Sequence, residues 1–252
     1  MRSLLLPLAA IYAVVGPCSL AAVPLSSVLT VTHVDRPDLL ALIDLPQSSL
    51  GTFDAIDREL PLFQGWCHPT KAKWLYAITR VFQPQVGCEV GVFGGASVYP
   101  VALAMLHNRQ GSFIGIDPWR PEPCLEGYAK DDPNYQWWAN LDYEAIYRQF
   151  MNDLARNGLS DIVTPLKMTG EEAVHKVPQL DYLHIDGNHS EVSALRDVEM
   201  YVPKCHTGAI IIMDDVNWHS TRKAQAELAK MADRIFVCKT SPGQVFAVYR
   251  KK

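Results

Sequence analysis

Short apolar runs alternate with amphipathic stretches along this chain, the pattern of a sheet whose strands are separated by helices. Residues 86–90 form an apolar run that breaks at Gly91-Val92-Phe93-Gly94-Gly95, and residues 98–106 then read as a helix. Strands follow at 112–117, 162–168, 180–186 and 209–215, and three of these five runs end in an acid. Leu141, Ala145, Ile146, Phe150 and Leu154 share one face of a helix over 141–154, and further helices are expected at 192–201 and 217–232. Upstream, Trp74, Leu75, Ile78 and Phe82 share a face of a helix over 71–82 that Pro84 stops. Residues 234–238 and 244–249 flank Ser241-Pro242-Gly243 and read as a terminal antiparallel hairpin. Runs such as Ile210-Ile211-Ile212 suit parallel strands buried on both faces. The sum is an α/β fold with a seven-stranded, mostly parallel sheet and helices on both faces.

Two regions do not follow this rhythm. Residues 30–64 carry weak periodicity, with a helix expected at 38–45 and a loop at 46–51. Residues 118–139 hold four prolines, three tryptophans and two tyrosines, and read as an irregular insertion. Aromatic side chains are costly to leave in water, so this stretch is expected to order as a lid over a substrate, or else as a local hydrophobic cluster.

The N-terminus adds a third feature. After Arg2 comes the apolar run of residues 4–15, and Ser19-Leu20-Ala21 offers small residues for cleavage. Residues 1–29 thus read as a signal-like or anchor segment, with membrane association through 4–29 as one outcome and a buried helix as another. The domain division expected is 1–29, an extension over 30–64, and one α/β domain over 65–252.

Composition changes little. With 252 residues, a net charge of −4 and a pI near 6.0, nothing points to nucleic acid as a partner. Without Cys18 five cysteines remain and no pair has C-x-x-C spacing, which argues against both a disulfide framework and a zinc site.

The candidate chemistry gathers where the strands end. A glycine-rich strand-to-helix turn brings backbone N–H groups to the sheet edge, and Asp117 lies 26 positions beyond Gly91, near the spacing at which an acid meets a ribose. An ordinary βαβ turn is the plain alternative. The turn fits neither the dinucleotide fingerprint nor a P-loop. Asp186 and the pair Asp214-Asp215 end two strands expected to be neighbours, and carboxylates so placed repel one another unless a cation sits among them. Oxygen ligands suit Mg²⁺ or a similar divalent ion; a helix-capping role for Asp214 or Asp215 is the alternative. His189, three residues after Asp186, is a candidate general base or a capping residue, and His68 a turn residue.

Gly65-Trp66, the stretch Glu89-Val90-Gly91-Val92-Phe93-Gly94-Gly95-Ala96-Ser97, Asp117-Pro118-Trp119, His184-Ile185-Asp186-Gly187-Asn188-His189 and Met213-Asp214-Asp215 occur in one order. Together they resemble class I S-adenosylmethionine-dependent methyltransferases with a Rossmann-like sandwich, and among these the macrocin- and aminocoumarin-type sugar O-methyltransferases of methyltransferase domain family 24; they are also similar to cephalosporin-hydroxylase-like proteins. The resemblance implies S-adenosylmethionine as cofactor. Glu89, Gly91 and Ser97 would lie on its methionine side, with Phe93 and Gly94 also binding it, Asp117 on the ribose, and Trp119, Thr169, Gly170 and Glu171 near the adenine. Asp186, Asp214 and Asp215 would hold the divalent metal, with Asp186 and His189 catalytic. One departure stands out: some of these enzymes carry an aspartate base where this chain has Asn188. The expected activity is O-methylation of a small-molecule or sugar hydroxyl, by a chain that can self-associate; the rival is a binding or exported protein that keeps the fold without the chemistry.

Overall fold

The structure, a computed structural model, describes residues 22–24, 29–46, 49–241 and 243–252. Most of the signal-like segment therefore lies outside the described residues. In chain order, β1 (Ala22–Pro24) lies in the 1–29 segment, and β2 (His33–Val34), α1 (Pro37–Leu40), β3 (Asp44–Pro46) and α2 (Gly51–Glu59) make up the extension. Then come α3 (Pro69–Phe82), β4 (Val86–Val90), α4 (Val98–Asn108), β5 (Ser112–Asp117), α5 (Pro121–Cys124), α6 (Pro133–Ala139), α7 (Tyr143–Arg156), β6 (Val163–Lys167) and α8 (Gly170–Ala173). The chain closes with β7 (Leu180–Ile185), α9 (Glu191–Tyr201), β8 (Cys205–Met213), α10 (Arg222–Met231), β9 (Ala232–Ser241) and β10 (Gln244–Lys251). No helix among the described residues is long and apolar enough to cross a membrane.

Eight strands form one sheet in the order β2-β9-β10-β8-β7-β4-β5-β6. The five strands β4 to β8 pair in parallel, and β10 runs antiparallel to both β8 and β9. The seven expected strands are all present, and the eighth is the two-residue β2, which the extension lays along β9. Alternate residues of each strand feed two separate cores. Phe113, Tyr182, Ile210 and Ile212 pack with α3, α4 and α7 on one face, while Cys88, Leu183, Ile211 and Met213 pack with α9 and α10 on the other. This double burial is why the strand sequences are nearly continuous apolar runs.

Strand order reverses between β4 and β7, and in open α/β sheets that reversal opens a crevice beyond the carboxyl ends of the strands. The register brings three chain segments level there. Val90 pairs with Ile185 and Ile185 with Met213, while the amide of Asp186 donates to Val90 O and that of Asp214 to Ile185 O. Gly91, Asp186 and Asp214 thus emerge side by side.

Three expectations are corrected. Residues 38–45 are not one helix: α1 lasts four residues and the chain then turns into β3, with Ile43 and Leu45 buried. The helix after β8 begins at Arg222 rather than 217, because a turn closed by Trp218 N–H to Asp215 O, with the Thr221 hydroxyl also donating to Asp215 O, precedes it. The stretch 118–139 is more regular than expected, since Pro121 and Pro133 start helices at the position where a missing N–H costs nothing.

Candidate active site

A cavity of about 520 Å³ opens at the reversal point, within the range of small-molecule sites. One wall is the turn after β4. Gly91 has φ +92°, and a Cβ there would lie 2.1 Å from the Asp186 carbonyl, so only glycine lets the two strand ends close up. Phe93 follows at φ +50°, its amide donating 2.8 Å to Asp117 Oδ2, while the Trp119 amide donates 2.8 Å to Asp117 Oδ1. Asp117 therefore splints the turn and keeps one lone pair on each oxygen for a ligand. Burial, which these two donors and that of Val92 do not outweigh, pushes its carboxyl up to about 6.

Gly91, Phe93, Ser97, Asp117, Thr169, Gly170 and Glu171 all line the cavity. The remaining three expected residues of this wall do not, and each has another role. Glu89 is fully buried and accepts the Ser97 hydroxyl at 2.5 Å. Gly94 packs against the backbone of Gln64. Trp119 is buried against Tyr147 and Phe150 with its indole N–H donating 2.7 Å to Phe93 O, so it props the turn from behind. Its φ of +40°, like those of Phe93 and Asp215, is the left-handed backbone that non-glycine residues rarely hold. The two other such non-glycine residues described, Gln83 and Arg109, are helix C-caps, where that conformation is ordinary. Backbone strain in this fold is concentrated at the cavity.

The opposite wall carries the acids, and with them a residue that the sequence reading missed. Lys71, in the first turn of α3, is 3% exposed. Its ammonium donates to Asp186 Oδ2 at 3.0 Å and also to Asp214 Oδ2. Burial works against its charge, but the two carboxylates outweigh it and hold the ammonium well above its ordinary pKa. Asp186 and Asp214 share that one cation. Burial raises both; the Lys71 charge then brings Asp186 well below the usual carboxylate range, whereas burial and the neighbouring Asp186 charge push Asp214 up to about 7. His189 Nε2 lies 3.1 Å from Asp215 Oδ2 and 3.5 Å from Asp186 Oδ1, with its ring edge-on to Trp218. Burial lowers its pKa, and the surrounding carboxylates more than restore it. His68 caps α3, its Nδ1 accepting the Thr70 amide.

The expected metal triad does not converge. Among the described residues, the trio whose ligand atoms come within 4.8 Å of one another is Glu89, His184 and Asp186, not Asp186, Asp214 and Asp215. Lys71 stands on Asp186 Oδ2, of the one carboxylate that both sets share, and on Asp214 Oδ2 of the expected triad, so the donor groups as arranged do not fit a divalent ion. A signal for Lys71 was present: it sits three, four and seven residues before Trp74, Leu75 and Ile78, on their buried face.

The third wall is the insertion. Asn188 Nδ2 donates to the carbonyls of Pro123 at 3.0 Å and Glu126 at 2.9 Å, and its Oδ1 accepts the Ser190 amide at 2.9 Å. Arg196 reaches across from α9 to Glu126 at 2.8 Å and also pairs with Glu171. The insertion is thereby tied to the sheet edge at two points. Its Trp137 and Trp138 meet Trp66 and Phe93 at ring-centroid distances of 5.0 to 6.1 Å. Trp66 and Trp137 remain 55% and 42% exposed at the cavity rim, an apolar surface rarely left wet without a use.

Comparison with known proteins agrees with this geometry. A family model described as a methyltransferase domain matches residues 88–216, just over half of the chain. No curated protein sequence matches. Among solved structures, the O-methyltransferase TomG from Streptomyces achromogenes, involved in tomaymycin synthesis and solved with S-adenosylmethionine, superposes with a TM-score of 0.56 at 16% identity, covering 90% of this chain and 94% of that one. The O-methyltransferase NovP gives 0.56 at 18% identity over 75% and 83%. An O-methyltransferase from Bacillus cereus in complex with S-adenosylhomocysteine gives 0.53 at 14% over 81% and 91%. At such identities the likeness is one of fold.

Proposed function

The chain belongs to the methyltransferase-domain family, and from that premise we propose that it moves the methyl group of S-adenosylmethionine to a hydroxyl of a ring-bearing small molecule, aromatic or sugar. The observation that carries this reading is that one cavity joins the Gly91–Ser97 turn and Asp117 on one wall to Lys71, Asp186, His189 and Asp215 on the other, beneath the aromatic rim. The donor set suits the cofactor. Asp117 has lone pairs free for a ribose diol, and Val90, Val92, Ile116 and Pro118 offer an apolar slot beside it. Bound there, the cofactor supplies an electrophilic methyl group.

The residues of the chain do the rest. Trp66, Phe93, Trp137 and Trp138 stack on the flat face of the acceptor and exclude water, as aromatic surfaces do for rings. His189 takes the proton of the acceptor hydroxyl: Asp215 holds a proton on Nε2, which leaves Nδ1 as the accepting nitrogen. The fixed walls of the cavity would hold the acceptor oxygen in line with the methyl group that the cofactor would supply. Asn188 takes no part in proton transfer, since its amide is fully used on the insertion and Ser190.

The test is release of S-adenosylhomocysteine when the chain meets a panel of phenols, catechols and glycosides. Turnover on any of them that falls at least about 100-fold in His189→Ala is expected, in keeping with the contribution of a general base. Turnover unchanged in that variant removes His189 from the mechanism, and silence across the panel together with failure to bind the cofactor removes the reading.

A further inference from the structure

The carboxylates at the ends of β7 and β8 need a positive charge, and the chain supplies one of its own. Lys71 enters from α3, on a different side of the cavity from the loops that carry the acids, and puts a single buried ammonium against Asp186 Oδ2 and Asp214 Oδ2. Around it acids and imidazoles alternate: Glu89 lies 3.2 Å from His184 Nδ1, His184 Nε2 lies 3.8 Å from Asp186, and Asp215 lies 3.1 Å from His189. Each carboxylate of the cluster already has a nitrogen of this chain as neighbour. A divalent ion bound to the same oxygens would lie in the contact shell of a like charge held at short range by a buried lysine, where such repulsion is strong.

We infer that Lys71 is the resident cation of this site, standing where the sequence pattern assigns a divalent metal, so that the site neither binds nor needs one. The inference rests on the methyltransferase reading for its consequence, metal-free methyl transfer, but not for the binding property itself. Lys71 is then a positioning residue: by fixing the Asp186 and Asp214 carboxyls with one ammonium, it keeps Asp186 and, through it, His189 aimed at the acceptor.

The test is an Mn²⁺ titration of the full chain followed by electron paramagnetic resonance, which reads the ion directly. Wild-type protein is expected to take up no stoichiometric Mn²⁺ at millimolar concentration, and Lys71→Ala to gain one site per chain that Asp214→Asn abolishes in the double variant. Wild-type protein that binds one Mn²⁺, and loses it in Asp214→Asn, overturns the inference; so does a folded Lys71→Ala that gains no site. Should Lys71→Ala not fold, the wild-type arm decides alone. Calorimetry with S-adenosylmethionine on the same preparation separates the two readings. Cofactor binding combined with a wild-type Mn²⁺ site sinks the lysine inference only, and no cofactor binding with no Mn²⁺ site sinks the methyltransferase reading only.

Discussion

The side-chain amide of Asn188 donates 2.9 Å to the backbone carbonyl of Glu126, joining the loop after β7 to the aromatic insertion 62 residues earlier. The orientation of that amide is set by the Ser190 N–H, which donates to Oδ1 and leaves Nδ2 for the carbonyls. The position where a base is expected by resemblance therefore serves as a latch. Asn188→Asp is expected to lower the rate, not raise it. A carboxylate would face carbonyl oxygens with no donor, at a cost of about 2 kcal/mol. Faster hydrogen exchange over residues 121–139 and a raised acceptor KM are the readouts; a faster enzyme would show that a base had been restored and the latch was incidental.

On the proposed reading the exposed tryptophans of the rim act on the acceptor alone. Trp137→Ala is expected to raise the acceptor KM about tenfold, the worth of a stacked aromatic contact, while the S-adenosylmethionine Kd stays within about twofold. Equal losses for both ligands would mean that Trp137 supports the whole cavity.

Asp197 makes the stability of the empty protein depend on pH. It is buried beside Gly170 and Gly187, and burial, with the charge of Glu171 added, pushes its carboxyl up to about 7. The folded chain then keeps a proton that the unfolded chain gives up near 3.8, so this contribution is complete below that value and is lost as pH rises to about 7. The loss is at most about 4 kcal/mol. Asp197→Asn is expected to reduce the fall in urea midpoint between about pH 4.5 and 8, leaving the shares of Asp214, over a window ending near 7, and of Asp117, over one ending near 6. A parallel pH profile in the variant contradicts this.

Lys71 and Asp214 are coupled in stability. Lys71→Met leaves two buried carboxylates without their cation, a loss of about 3–5 kcal/mol. Asp214→Asn in that background should recover part of it, with an interaction energy above about 1 kcal/mol in a double-mutant cycle read by denaturant unfolding. Additive effects would show that the ion pair is not a unit.

Much of this was legible in the residues. The strands from Val86–Val90 to Cys205–Met213 announce themselves because both faces are buried, so their apolar runs are continuous, and the acids at their ends follow from the same topology. The insertion was legible in composition but not in form, because Pro121 and Pro133 break helices in most positions and start them here. Trp119 was expected near the adenine by resemblance, whereas at a positive φ its ring packs behind the turn. Lys71 escaped because the need for a cation was read from the acids alone, while the residue that meets it lies 115 positions before Asp186. A lysine in phase with a buried helix face was the mark it left.

The central claim is that this cavity binds S-adenosylmethionine, and calorimetric titration of the full chain tests it most directly. One site per chain with a micromolar Kd is predicted, unaffected by EDTA, and at least about tenfold weaker in Asp117→Ala once circular dichroism shows that variant folded. No heat of binding in wild-type protein, or a Kd that Asp117→Ala leaves unchanged, would contradict it.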